Sequence, residues 1–239
     1  MLPPETEKVW NFLKVQPALA GFVLIGGSAL ALLIRHRRSE DLDLVFPGEC
    51  LPRARLEALQ HIAIQGGFEF QPNDDEVTLR EFSMAGLELR DYQQNVLVNR
   101  AVKVSFFVPD AILARVLNAS PEPQARVATL HEIFKMKCLV SALRSKTRDW
   151  LDLYLLLREH GFSANDFKEA FAQAGAENQQ DIALSRLCSG APQKDDEGYA
   201  HLLEHPPTLE AMKHFFIALR DQLEIESAAE ARRRQRRSD

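Results

Sequence analysis

The stretch that decides the fold is Phe22–Phe46, FVLIGGSALALLIRHRRSEDLDLVF. The apolar run FVLI predicts a buried strand, and the Gly-Gly-Ser after it predicts a tight turn. A second apolar run predicts a helix, RHRR predicts a loop, and DLDLVF predicts another strand. In order, the predicted elements are the strand Phe22–Ile25, the turn at 26–28, the helix Ala29–Ile34, the loop Arg35–Arg38 and the strand that carries Asp41 and Asp43.

Asp41 and Asp43 lie two residues apart on the second strand, so their side chains point to the same face. Their Cα atoms would be about 6.5–7 Å apart, and a divalent cation relieves the repulsion between two such carboxylates. Gly26, Gly27 and Ser28 open the helix, where free N–H groups and the helix dipole attract a phosphate. A phosphate-binding turn followed by a metal-binding carboxylate pair predicts metal-assisted nucleotidyl transfer.

These motifs resemble those of a known family. Gly26-Gly27-Ser28 followed by Asp41-x-Asp43 resembles the signature of the polymerase-β-like nucleotidyltransferase superfamily. The wider wording, GGSALALL…HRRSEDLDLVF, resembles the AbiEii/AbiGii toxin-type nucleotidyltransferases of bacterial toxin–antitoxin and phage-defence systems. A second block, MKCLVSALRSKTRDWLDLYLLL from Met136 to Leu157, resembles the K…A…R…RDxxDLYxLL motif of that family.

The resemblance implies an α+β fold, with an N-terminal nucleotidyltransferase domain containing a mixed sheet over residues 1–120 and a C-terminal helical domain over residues 121–239. It implies an NTP substrate, Mg²⁺ or Mn²⁺, a hydroxyl acceptor on an RNA (including a tRNA end) or on a protein, and a cognate antitoxin. The implied catalytic residues are Asp41 and Asp43, which also hold the metal, with Lys137 and Asp149. The implied nucleotide-binding residues are Gly26, Gly27, Ser28, Arg37, Ser39 and Arg144.

The residues of the first motif also have plainer interpretations. Asp41 and Asp43 would then be solvated carboxylates at a strand edge, and Ser28 would be a helix N-cap. The basic segment Arg35–Arg38 would be a solvated loop instead of a phosphate contact, and its His36 an orienting group instead of a base. The sequence leaves these alternatives open.

The second block has a plainer interpretation as well. Lys137 and Arg144 lie seven residues apart and therefore on one face of a predicted helix. Asp149 and Asp152 lie three apart on the next helix and also share a face. The four side chains would then form an interhelical salt-bridge network with no contact to a nucleotide.

One position departs from the family pattern. Many nucleotidyltransferases of this fold carry a third carboxylate on a later strand, in wording like VKVDFF, but here Ser105 stands in that place. Serine does not ionise and binds a metal poorly. Glu88 or Asp91, on the neighbouring predicted strand, would be the replacement. The alternative is a non-catalytic module that retains nucleotide or RNA binding and acts through a protein partner.

Composition is that of a globular protein without secretion or membrane signals. The 239 residues are 46% hydrophobic and 26% charged, which is ordinary for a chain with a sizeable core. The net charge is −5 although five arginines crowd into 232–237, so an acidic body ends in a basic tail. The three cysteines are widely spaced and include no CxxC, which predicts reduced cytoplasmic thiols and neither a zinc site nor a disulfide framework.

The remaining elements follow from periodicity and turn signals. They are helices at Pro4–Val15 and Leu51–Gly66, strands at Phe68–Gln71, Val77–Phe82, Leu87–Tyr92 and Ala101–Val108, and, beyond a boundary at Asn118–Gln124, helices that begin near Thr129, Arg148, Ser163, Leu184 and Thr208, the last of them ending at Glu226. Thr129-Leu-His-Glu132 predicts a capping box at the start of the first helix beyond that boundary. The segment Cys188–Glu197 predicts a polar loop without an assigned role. No hydrophobic stretch predicts a membrane span, because the longest uncharged run is interrupted by the two glycines at 26 and 27.

Overall fold

A computed structural model describes residues 1–118 and 122–238, without the side chains at 230, 234 and 236–238. The chain divides into two compact units, Met1–Ile133 and Phe134–Asp239. The first unit contains a six-stranded mixed sheet with helices, and the second is helical, so the predicted α+β fold is confirmed. The predicted boundary segment at 118–124 lies partly outside the described residues.

The first unit is built around one sheet with strand order β3-β4-β5-β2-β1-β6. Its central strand β2 pairs antiparallel with β1 and parallel with β5. The strands are β1 Val23–Ile25, β2 Leu42–Val45, β3 Phe70–Pro72, β4 Gln93–Val98, β5 Val102–Phe107 and β6 Arg126–Val127. The helices of this unit are α1 Pro4–Leu13, α2 Gly26–Ile34, α3 Arg53–Gln65, α4 Glu76–Met84 and α5 Ala111–Val116.

One face of the sheet carries the core. Alternate side chains on the central strands are buried on this face, among them Leu44, Val104 and Phe106. Phe106 meets the ring of Phe22 edge to face, with centroids 5.9 Å apart. The opposite face carries the intervening residues, including Asp43 and Ser105, which remain partly exposed. The sheet therefore has one face packed in the core and one face whose polar residues remain accessible.

Two predicted strands of this unit are wrong. Val77–Phe82 lies in helix α4, because Asp75 caps that helix by accepting a 2.9 Å hydrogen bond from the Thr78 amide. Leu87–Tyr92 contains a short 3₁₀ turn at Leu89–Asp91 instead of a strand. The strand that pairs with β5 is β4, which the sequence did not predict because QQNVLV begins with residues that rarely form strands. Strand β6 and helix α5 were also missed.

Helix α6, Leu130–Leu143, begins with the predicted capping box. The Glu132 amide donates to Thr129 Oγ1 at 3.2 Å, and the Thr129 amide donates to Glu132 Oε2 at 2.7 Å. The buried Glu132 carboxylate also accepts hydrogen bonds from the Asn118 amide and from the Arg126 guanidinium, both at 2.7 Å. Burial alone would raise the pKa of Glu132, but these donors hold it at about 2.

The helices of the second unit lie close to their predicted positions. After α6 come α7 Thr147–Glu159, α8 Ala164–Ala174, α9 Gln180–Ser189 and α10 Leu209–Ser238. The core includes Phe134 stacked on Phe162, with ring centroids 4.0 Å apart. Helix α10 packs against α7, α8 and α9 and continues past the predicted end at Glu226, so the arginine-rich segment 232–237 is helical. Among the described residues, no helix is both long and apolar enough to cross a membrane.

Candidate active site

Strand β2 places both predicted metal ligands on the open face of the sheet. Asp41 precedes β2 directly and Asp43 lies within it, while Leu42 and Leu44 between and beyond them are fully buried. Asp43 is partly buried and Asp41 is exposed. Because side chains alternate along the chain, the two carboxylates share the face opposite the core. The pair therefore has the placement that the spacing predicted.

The glycine turn lies directly against the side chain of Asp43. Gly26 has a φ of +73°, and a Cβ on it would lie 3.0 Å from Asp43 Oδ2. A Cβ on Gly27 would lie 2.6 Å from Nη2 of Arg37 and 2.9 Å from Oγ of Ser39. A side chain at Gly26 would be strained by the positive φ and would press on the Asp43 carboxylate, and one at Gly27 would displace the ends of Arg37 and Ser39. The structure thus brings together the glycines, the serine–arginine loop and the carboxylate, which the sequence had linked only by motif.

Ser28 fastens the turn to the carboxylate strand. Its side chain is buried, and its hydroxyl donates to the backbone carbonyl of Asp41 and lies 3.1 Å from the hydroxyl of Ser39. A hydroxyl carries one proton, so Ser39 is the donor in the second contact. The N-cap interpretation of Ser28 is wrong, because the helix already begins at Gly26 and Ile25 occupies the N-cap position.

The basic loop has one buried and several exposed members. Arg37 is only 6% exposed, and its Nη1 donates to the carbonyl of Arg38 at 3.0 Å while its guanidinium lies over Gly27. Arg35 is exposed in the left-handed conformation and ends α2. Arg38 pairs with Glu40 at 3.1 Å on the surface. Arg37 is therefore built into the turn, and the solvated-loop interpretation holds for Arg35 and Arg38.

The sheet register identifies what stands beside Asp43. Asp43 pairs with Ser105 on β5, and Ser105 pairs with Asn95 on β4. Ser105 thus occupies the place expected for a third carboxylate, next to the metal-ligand pair. Asn95 extends this row and was missed because β4 was missed.

Neither proposed replacement for the third carboxylate lies on that row. Glu88 is exposed outside any strand, and Asp91 belongs to the 3₁₀ turn, where it pairs with Arg53 at 3.2 Å. That part of the prediction is wrong, because the strand on which it relied does not form. Over residues 1–118 and 122–238, no group of three or more histidine, cysteine, aspartate or glutamate side chains is arranged to hold a metal.

The chemistry of the Asp41–Asp43 pair nevertheless fits a magnesium ion. Mg²⁺ in nucleotide-dependent enzymes is bound by one or two carboxylates, with substrate phosphates and water completing the octahedron. Two carboxylates on one face, beside a turn with two glycines, would supply two of these ligands. Mn²⁺ accepts the same oxygen ligands.

The second cluster lies in the helical unit and is a buried ion network. Lys137 Nζ lies 2.7 Å from Asp149 Oδ1 and 2.6 Å from Asp152 Oδ2, and Arg144 Nε lies 2.8 Å from Asp149 Oδ2. All but Arg144 are nearly inaccessible to solvent. Burial would raise the pKa of Asp149, but Lys137 and Arg144 outweigh this and hold its pKa below the ordinary value. The interhelical salt-bridge interpretation is thus what the structure contains.

Comparisons with known proteins agree with this geometry. The model of the family described as "Nucleotidyl transferase AbiEii toxin, Type IV TA system" matches residues 12–237. JHP933 from Helicobacter pylori has a similar structure, with a TM-score of 0.52 and 20% identity over 98% of this chain and 100% of that one. MenT4, the nucleotidyltransferase toxin Rv2826c from Mycobacterium tuberculosis H37Rv, gives a TM-score of 0.56 at 14% identity over 90% of this chain and 82% of that one. No curated protein matches the sequence.

A mixed sheet with a glycine turn against a carboxylate strand, followed by a helical unit, defines a nucleotidyltransferase. The chain belongs to the AbiEii family of nucleotidyl transferase toxins of type IV toxin–antitoxin systems, whose model covers nearly its whole length. Membership of that family implies an antitoxin partner. The two solved structures, at their low identities, show the fold alone.

Proposed function

We propose that this chain transfers a nucleoside monophosphate from an NTP to a hydroxyl on an RNA, including a tRNA end, or on a protein. Asp41 and Asp43 would hold Mg²⁺ or Mn²⁺. The observation that carries the proposal is the contact between the glycine turn and the carboxylate strand, with Gly26 against Asp43. A turn without side chains, opening a helix beside two carboxylates, suits a metal-bound triphosphate.

In this proposal the turn binds the phosphates. The backbone of Gly26 and Gly27 opens α2, where N–H groups and the helix dipole favour anions. Ser28 and Ser39 fix the distance between the turn and Asp41 through their hydrogen bonds. Arg37 lies against Gly27 and adds positive charge next to it. The metal, when bound, would neutralise charge that develops on the phosphoryl oxygens.

The reaction would be an in-line displacement. The acceptor oxygen forms a bond to the α-phosphorus while the bond from that phosphorus to the bridging oxygen breaks, and pyrophosphate leaves with the bonding electrons. The acceptor hydroxyl releases its proton to solvent water in the same process. On the row Asp43, Ser105 and Asn95, the one carboxylate is that of Asp43, which would hold the metal.

We also propose that the second cluster contributes to nucleotide handling. The side chain of Arg144 is 49% exposed and still holds Asp149, so it is the member best able to meet a phosphate. Lys137 is enclosed by two carboxylates and would contribute mainly by keeping the cluster in place. Because the pKa of Asp149 is lowered, it is a poor proton acceptor and better suited to orienting Lys137 and Arg144.

The proposal can be tested by incubating the purified chain with each labelled NTP, Mg²⁺ and total cellular RNA or protein. Transfer of label by the wild type but not by Asp43→Asn supports it. Nucleotide binding without transfer to any acceptor would instead favour the non-catalytic module, for which the placement of Ser105 beside Asp43 is the specific argument. Adding the cognate antitoxin to the same assay then shows whether this partner acts on the nucleotidyl transfer reaction or on the acceptor molecule.

A further inference from the structure

The polar segment Gly190–Tyr199, which we call the strap, lies against the turn between α6 and α7. Its residue Gln193 forms two hydrogen bonds with the backbone of Ser145. The Ser145 amide donates to Gln193 Oε1 at 3.0 Å, and the Gln193 amide donates to the Ser145 carbonyl at 2.9 Å. Gln193 therefore binds the strap to this turn through both its side chain and its backbone, although it lies 48 residues from Ser145 in the chain.

Asp196 of the strap supplies the N-terminal cap that α7 lacks in its own sequence. Lys146 occupies the N-cap position of α7 and makes no capping hydrogen bond with its side chain. Instead, Asp196 Oδ1 accepts from the Thr147 amide at 2.9 Å, and Asp196 Oδ2 accepts from Thr147 Oγ1 at 2.7 Å. Thr147 is buried, and the Gly198 amide donates to Asp196 Oδ2 at 3.2 Å. The Asp196 carboxylate thus has several partners.

The capped residue lies in the same helical turn as Asp149 of the ion cluster. Thr147 is the first residue of α7, and Asp149 follows two residues later, in the same first turn. Asp149 forms ion pairs with both Lys137 and Arg144. Arg144 immediately precedes Ser145, which the strap also binds. The two attachment points of the strap, Ser145 and Thr147, therefore lie between Arg144 and Asp149 in the chain.

We propose that Asp196 is a positioning residue for the Arg144–Asp149 pair, and that the strap fixes the turn on which this pair depends. The proposal deepens the proposed nucleotidyl transfer and rests on it. The outer salt bridges of the strap, Arg148 to Glu197 at 2.8 Å and Lys146 to Asp195 at 3.9 Å, are largely exposed. Exposed ion pairs contribute little, so the effect should come from Asp196.

The test compares Asp196→Ala with Asp196→Asn, and uses Glu197→Gln as the matched control on the same strap. Alanine removes the cap, whereas asparagine is as good an N-cap as aspartate and still accepts from the Thr147 amide. We expect Asp196→Ala to lower kcat/KM for transfer by about 10- to 100-fold, since small misplacements of a positioning group have effects of that size. Asparagine should restore most of the rate, and Glu197→Gln should match the wild type.

Two outcomes would overturn the proposal. One is an Asp196→Ala protein with unchanged kcat and KM. The other is a protein with a lower melting temperature but an unchanged kcat per folded molecule, which would make the strap merely structural. If the wild type itself transfers no nucleotide, the proposed function fails separately. In that case, an NMR titration of the Asp149 carboxyl group tests the positioning role of Asp196. That role requires the pKa of Asp149 to rise in Asp196→Ala and to stay low in Glu197→Gln.

Discussion

A Cβ atom on Gly26 would lie 3.0 Å from Oδ2 of Asp43, so the turn and the carboxylate strand touch at a point where any added side chain would push the Asp43 carboxylate out of place. The backbone there is also left-handed, with φ +73°. Two separate costs therefore oppose a side chain at this position. One is conformational and acts on stability, and the other is steric and acts on the position of Asp43.

We expect Gly26→Ala to abolish most nucleotidyl transfer and to lower the free energy of unfolding by roughly 1–2 kcal/mol, the cost of forcing alanine into this conformation. Gly86 provides the control, because its φ is also +73° but a Cβ there would meet nothing within 4 Å. Gly86→Ala should lose similar stability and keep its activity. Denaturant unfolding and the labelled-NTP assay on both variants separate the two costs. Equal activity in both would show that the contact with Asp43 is irrelevant.

Replacing either metal-ligand candidate should remove activity without unfolding the protein. Asp41→Asn and Asp43→Asn keep side-chain size but remove the charge, and a metal supplies several kcal/mol of charge stabilisation in such reactions. Glu40, beside Asp41, is exposed, and its carboxylate pairs with the exposed Arg38. Glu40→Gln is therefore the control. Transfer rates and circular dichroism at matched concentration check this. Wild-type transfer by Asp41→Asn would contradict the assignment.

Lys137→Met should be strongly destabilising. It leaves Asp149 and Asp152 buried without the ammonium that lies 2.7 and 2.6 Å from them, and such a loss typically costs about 3–5 kcal/mol. The double variant Lys137→Met/Asp152→Leu also removes the buried charge of Asp152 and should recover part of this stability. Urea unfolding measures both. A stable Lys137→Met protein that has lost only nucleotide affinity would instead mark Lys137 as a direct phosphate contact.

The stability of the first unit should depend on pH through Glu132. Its pKa is about 2 in the folded protein and ordinarily 4.5, so the unfolded state binds its proton first as the pH falls. The contribution is therefore complete above about pH 4.5 and is lost as the pH falls towards 2, and the shift corresponds to about 3 kcal/mol.

Unfolding measured between pH 7 and pH 3 checks this dependence. Glu132→Gln should be less stable at pH 7 and should lose less stability on acidification than the wild type. Glu76→Gln, at an exposed carboxylate, should leave the curve unchanged. If the free energy of unfolding fell equally steeply with decreasing pH in Glu132→Gln and in the wild type, the assignment would be contradicted.

The parts that the sequence predicted well are those specified by neighbouring residues. The unit from β1 through α2 to β2 is read from one continuous motif, and the α6–α7 pair from helical periodicity with a capping box. The face shared by Asp41 and Asp43 follows from alternation alone. Ser105 was expected in the place of a third carboxylate, and its register with Asp43 agrees with that expectation.

The parts that were missed depend on partners distant in the chain. Strand β4 exists because it pairs with β3 and β5, so Asn95 could not be placed beside Ser105. The segment Val77–Phe82 was predicted as a strand, but the local cap from Asp75 formed a helix in which Val77 and Leu79 remain exposed. The contact of Asp196 with Thr147 joins residues 49 apart, and no local pattern encodes it.

Strand β6 consists of two residues, yet it occupies the outer side of β1 by pairing Val23 with Arg126 and Leu24 with Val127. Without it, the wholly apolar β1 would become an open sheet edge, and such edges recruit strands from other molecules. A fragment of this chain that stops at residue 120 would therefore be prone to aggregate. One that continues through Ile133 keeps that edge covered and retains the Arg126–Glu132 bond that anchors β6.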